Sequence, residues 1–130
     1  MSKLQPSFFA IFSDIHANID ALTAVLADVD QFPVKGMFCL GDIVGYGPEP
    51  AMCVQRIMDT CAVTVLGNHE AMLLIADKIQ DEDWDISISQ PIQLANEQLT
   101  SAQKSWIRGT PIKSEEHTSE LQSRVDISYA

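Results

Sequence analysis

The chain has 130 residues, enough for about one domain. Eighteen acids against eight bases set a net charge of −10, and 46% hydrophobic with 20% charged residues is the composition of a globular protein, not a disordered one. That balance argues against a basic surface for nucleic acid, and no apolar run reaches the ~18 residues that a membrane-spanning helix needs. Residues 1–6 lack the charged-then-apolar layout of a signal peptide. Cys39, Cys53 and Cys61 are an odd count without framework spacing, which points to a reduced, cytoplasmic compartment.

Ser7 to Ser13 is a short apolar run rich in aromatics and reads as a strand buried on both faces, as in a parallel sheet. Ala21, Leu22, Val25, Leu26 and Val29 recur at spacings of three and four, which predicts a helix over roughly 18–31. Met37 to Leu40 is a second buried strand after Gly36. Gly41 to Pro50 carries three glycines and two prolines and reads as a loop. Pro50 opens a helix with an apolar face of Met52, Cys53, Ile57 and Met58. Ala62 to Leu66 is a third strand, and Glu70 to Ile79 a further helix. Gln80 to Gln90 is acidic and irregular: Asp81-Glu82-Asp83 reads as a solvated loop, and Trp84 as a surface or insert contact. Residues 93–108 show helical spacing at Leu94, Leu99, Trp106 and Ile107. The order βαβαβα with short links predicts an α/β fold with a parallel sheet.

The last seventeen residues differ in kind. Ser114 to Ser123 back-translates as TCG GAA GAG CAC ACG TCT GAA CTC CAG TCA, which resembles the adapter of short-read sequencing libraries. Arg124 to Asp126 would cover its variable index, and Ile127 to Ala130 the constant stretch beyond. The expectation is therefore a natural, truncated domain portion over 1–113 and a non-native tail over 114–130. Without that tail, 14 acids and 7 bases leave −7, so the acidic character survives.

Each predicted strand is followed at once by metal-capable residues. The first gives Asp14, His16 and Asn18, the second Asp42, and the third Asn68, His69 and Glu70. In an open parallel sheet ligands bind outside the carboxyl ends of the strands, so the three clusters should converge. Asp14 and His16 are two apart and would point the same way from an extended backbone. Two carboxylates, an imidazole and an amide oxygen suit divalent manganese, iron, zinc or magnesium, with manganese first. Two metals about 3.5–4 Å apart need a bridging carboxylate, and Asp42 is the natural one. Asn18 is a good helix N-cap as well as a candidate substrate contact. Glu70 reads as a first-turn acid favoured by the helix dipole. Gly45, Gly47 and Pro48 read as loop geometry, and Cys39 as core.

Asp-x-His, then Gly-Asp, then Gly-Asn-His-Glu, each after a strand, resembles the calcineurin-like metallophosphoesterases. The likeness covers most of residues 7–70, and Gln98 to Pro111 is similar to the helix that follows in many bacterial and archaeal members. Gly41-Asp-Ile-Val-Gly-Tyr-Gly-Pro48 is similar to the small phosphodiesterase-type branch. It departs from the protein serine/threonine phosphatases, which place a second Asp and an Arg where Gly45 and Tyr46 stand. The resemblance implies the N-terminal part of an α/β sandwich and a dinuclear hydrolase acting on a small phosphomonoester or phosphodiester through a metal-bridging hydroxide. Asp14 and His16 would bind the first metal, Asp42 would bridge, Asn68 would bind the second, and His69 would act on the leaving oxygen. The alternatives are hydrolysis of dinucleoside polyphosphates or phosphoprotein, or a non-catalytic scaffold. The family closes its metal shell with a later His and a Gly-His-x-His motif. After His69 this chain has only His117, inside the suspected tail, so the resemblance implies a fragment with about half the shell and little activity.

Overall fold

The computed structural model describes residues 8–76 and 85–111. Its elements run β1 (Phe8–Phe12), α1 (Ile19–Val29), β2 (Val34–Cys39), α2 (Pro50–Thr60), β3 (Val63–Thr64), α3 (Asn68–Leu74), α4 (Ile86–Gln98) and α5 (Ser101–Arg108). The three strands form one parallel sheet in the order β1-β2-β3. The predicted α/β class with βαβαβ order stands.

The register explains the core. Phe12, Cys39 and Thr64 lie side by side on one face, and all three are buried. Leu22 and Leu26 of α1 and Cys53, Val54 and Ile57 of α2 join the same buried cluster, with α1 packed on α2. Ile11, Phe38 and Val63 share the opposite face, with Phe9 two residues before Ile11. There Phe9 is 58% exposed and Ile11 63%. The expectation of a strand buried on both faces is therefore corrected: one face is covered and the other is open. Consecutive strands laid down in one direction carry their crossover helices on one side.

Several boundaries also move. β2 begins at Val34, because the extended backbone runs straight through Gly36. On α2 the buried stripe is Pro50, Cys53, Val54 and Ile57, while Met52 is exposed. α3 starts at Asn68 and ends at Leu74, so Asn68, His69 and Glu70 form its first turn. α4 begins at Ile86, inside the stretch read as irregular: Asp85 caps it by accepting from Ser87 N at 2.9 Å, and Pro91 sits within it. The expected single helix over 93–108 is two. Thr100 and Gln103 form a reciprocal capping box at 2.9 and 3.1 Å that starts α5 afresh. Gln103 also donates to Ala51 O at 3.1 Å and ties α5 to α2. Beyond α5 the chain returns to β3, where Leu66 N donates to Pro111 O at 2.6 Å. The Asp81–Asp83 run, Trp84 and residues 114–130 lie outside the described residues.

Candidate functional site

The loop after β1 runs beside the loop after β2. Asp14 N donates to Gly41 O at 3.1 Å, His16 N to Asp42 O at 2.9 Å and Ala17 N to Ile43 O at 2.7 Å. The backbone here is not extended. Asp14 (φ 58°), His16 (49°), Ala17 (58°), Asp42 (57°) and Tyr46 (61°) all adopt the left-handed conformation. Each such residue costs roughly 1–3 kcal/mol and persists only where surrounding bonds over-determine it. Two glycines allow the loops to close. Gly41 has φ +100°, and a Cβ there would lie 2.6 Å from Gly67 Cα. Gly45 has φ +94°, and a Cβ would press into the His69 ring, 2.8 Å from Cε1.

This packing brings one ligand atom each of Asp14, His16 and Asp42 within 4.8 Å of one another. His16 Nε2 is 3.4 Å from Asp14 Oδ1, while His16 Nδ1 lies 3.0 Å from Val44 O. Donation from Nδ1 to that carbonyl leaves the Nε2 lone pair for a ligand, the usual device for orienting a metal-binding imidazole. Asp42 is buried. Its Oδ1 accepts from His69 N at 3.0 Å, and burial pushes its carboxyl above the usual range. Asn68 turns its amide toward the same carboxylate: with the nitrogen on that side it donates to Oδ1 at 2.8 Å and Oδ2 at 3.0 Å. With the oxygen on that side, three oxygens meet, which only a cation between them makes favourable. The donor set thus fits a divalent cation.

His69 is 6% exposed and its Nδ1 is buried without a hydrogen-bond partner among the described residues. Its ring centroid is 4.7 Å from that of His16 and 5.0 Å from that of Tyr46. Burial lowers its pKa below the ordinary 6.5 and so favours the neutral ring, an effect that the Asp42 carboxylate partly counters. Asn18 accepts from Ala21 N at 3.0 Å as the N-cap of α1, and with Asp14 it lines a cavity of about 350 Å³.

The sequence reading missed the roles of two residues. Glu70 is the first-turn acid that the helix dipole favours, but it is also 2% exposed and does more than that. Its Oε1 accepts from Asp42 N at 2.7 Å and Gly67 N at 3.0 Å, and its Oε2 from Ile43 N at 2.7 Å and Val44 N at 3.0 Å. One carboxylate therefore clasps two strand-end loops; burial raises its pKa, and the backbone donors at Val44, Asp42 and Gly67 counter part of that rise. A glutamate three residues after a helix-opening glycine was the available signal for the Gly67 bond, through capping-box spacing. The other three bonds join positions 26–28 residues apart, which no local pattern reports. Tyr46 was read as loop, and it stands with its ring against both histidines. The cysteines are free, and burial raises the Cys39 thiol to about 12 and that of Cys53 to about 11, so neither is a nucleophile.

Comparison with known proteins follows the same lines. The calcineurin-like phosphoesterase family model matches residues 9–121. An uncharacterized protein of Methanocaldococcus jannaschii is 52% identical over 64 residues, 49% of this chain and 26% of that protein. A symmetrical bis(5'-nucleosyl)-tetraphosphatase of Stutzerimonas stutzeri is 38% identical over 64 residues, 47% of this chain and 23% of its own. The crystal structure of a metallophosphoesterase from Sphaerobacter thermophilus superposes with a TM-score of 0.66 at 31% identity, over 83% of this chain and 43% of that one. The chain thus spans less than half the length of these relatives. Because the family model covers most of the chain, the chain belongs to the calcineurin-like phosphoesterases.

Proposed function

We propose that the protein carrying this chain hydrolyses a phosphomonoester or phosphodiester of a small molecule. The observation that supports this most is the Asp14–His16–Asp42 donor cluster within 4.8 Å, with the His69 ring beside it, whose Nδ1 has no hydrogen-bond partner among the described residues. Asp14, His16 and Asp42 would hold one divalent cation, and Asp42 and Asn68 a second, with manganese the first choice. Such cations supply Lewis acidity and bring bound water into reach of deprotonation at neutral pH. His16 keeps its Nε2 aimed at the cluster through its bond to Val44 O. His69, neutral through burial, would donate a hydrogen bond from its ring N–H to the scissile phosphate and stabilise the charge that develops there. Asn18 contacts the substrate from the start of α1. The family allows a dinucleoside polyphosphate as the alternative substrate, as the name of the Stutzerimonas relative suggests. Gly45 and Tyr46 speak against a phosphoprotein substrate, and the intact donor set speaks against a pure scaffold.

The second cation would have only Asp42 and Asn68 from this chain, so we expect the 130-residue form to be nearly inactive, in a parent that is cytoplasmic. On this reading residues 114–130 are a non-native tail, and resequencing across codon 113 tests their origin. No helix among the described residues is long and apolar enough to cross a membrane.

The activity test sets the 130-residue chain beside its full-length parent with Mn²⁺ and bis-p-nitrophenyl phosphate, with Asp42→Asn and His69→Ala controls. Turnover in the parent that each control lowers at least ~100-fold is the expected result. A parent without turnover on mono- or diesters, under any of the four metals, ends the phosphoesterase reading.

A further inference from the structure

We infer that the groove between the Tyr46–Pro48 loop and the first turns of α4 binds the planar aromatic part of the ester, a nucleobase or an aryl ring, with Tyr46 as its stacking platform. This rests on the phosphoesterase reading and names the substrate class of that site. The groove encloses about 310 Å³, within the range of small-molecule sites, and is lined by Tyr46, Pro48, Ile86, Ser87, Gln90 and Leu94 among others.

Three observations converge on this assignment. Tyr46 is 56% exposed and yet holds φ at 61°. A bulky residue in that conformation is strained, and strain of this kind is kept at ligand clamps. Its ring also stands 4.9 Å from that of His16 and 5.0 Å from that of His69. Tyr46 is therefore a wall shared by the donor cluster and the groove, and a phosphate at the cluster directs its organic substituent along that ring. Finally, the chemistry of the lining selects the occupant. Pro48, Ile86 and Leu94 are apolar, and among the described residues neither lysine nor arginine lines the groove, which disfavours a second phosphate. The Ser87 hydroxyl donates a hydrogen bond to Asp85 Oδ1 at 2.7 Å, which leaves its oxygen lone pairs free to accept, and Gln90 is exposed. Apolar walls, an aromatic face and a few acceptors and donors suit a heteroaromatic ring better than a polyol.

The test titrates AMP, phenyl phosphate, glycerol 3-phosphate and inorganic phosphate into the Mn²⁺-loaded full-length protein by calorimetry. Wild type, Tyr46→Ala, Tyr46→Phe and Gln90→Ala are compared. Stacking on one aromatic ring is expected to make Tyr46→Ala weaken AMP and phenyl phosphate about tenfold relative to inorganic phosphate, with Tyr46→Phe close to wild type. Gln90→Ala should weaken AMP alone, which separates a nucleobase from an aryl ring. Equal losses for AMP and inorganic phosphate in Tyr46→Ala would make Tyr46 a mere support for the histidines and overturn the proposal, as would an unchanged ratio. If AMP binding depends on Tyr46 while no protein in the set turns over any ester, the phosphoesterase reading fails and the aromatic subsite stands.

Discussion

At the carboxyl ends of β1, β2 and β3 three loops satisfy one another's backbone groups, while one face of the same strands leaves Phe9 58% and Ile11 63% exposed. The strand ends are completed by segments within residues 13–70, through Glu70, Gly41, Gly45 and the bonds from Asp14, His16 and Ala17. The open face has both crossover helices on the other side of the sheet. The polar cluster can thus be closed by neighbouring loops, whereas an apolar sheet face needs a whole second layer to cover it.

The sharpest way to break this contrast is Glu70→Leu. It leaves four buried N–H groups without an acceptor, at roughly 1–3 kcal/mol each, comparable with the whole stability of a small domain. We expect no cooperative unfolding transition by circular dichroism. A loss under ~2 kcal/mol in urea titration would show that the loops do not depend on this carboxylate.

Two glycines sharpen the comparison next. Gly45→Ala forces a Cβ into the His69 ring at a positive φ and should cost about 2–4 kcal/mol. Gly36→Ala, in a strand, meets the Phe9 ring at 3.5 Å and the Phe38 ring at 3.6 Å, both ordinary contacts, and should change stability by no more than about 1 kcal/mol, toward greater stability. Thermal melts of both variants decide this, and equal losses would erase the distinction between the two regions.

A smaller effect is expected from pH. Burial lowers the His69 pKa from its ordinary 6.5, so below pH 6.5 the unfolded chain binds the proton more readily than the folded one. The metal-free wild type should therefore lose stability relative to His69→Asn as the pH falls through 6.5, by at most ~1.4 kcal/mol per pH unit. Urea midpoints at pH 7.5 and 5.5 measure it, and a difference that stays flat counts against a buried neutral ring.

The smallest stability change belongs to the open face. Ile11→Thr should alter unfolding by only about 0.5 kcal/mol while reducing self-association of this chain in sedimentation velocity. A loss of several kcal/mol would mean that the face is covered after all.

Much of the site was legible in the sequence, because it depends on order alone. Three strands, each followed at once by Asp, His or Asn, must place those residues at one edge of a parallel sheet, and Asp14, His16 and Asp42 do meet there. Capping chemistry is equally local, as Asn18 on α1 shows. Tertiary structure decided what depends on distant partners. It placed Glu70 beneath two loops, turned Asp14 and His16 into left-handed backbone, and set Tyr46 against two histidines. It split the last helical stretch at Thr100, where a capping box outweighed continuous apolar spacing, and began α4 before Pro91. It also chose which face of β1 is buried, since an apolar run marks a strand that can be covered on both sides but cannot say which side finds a helix.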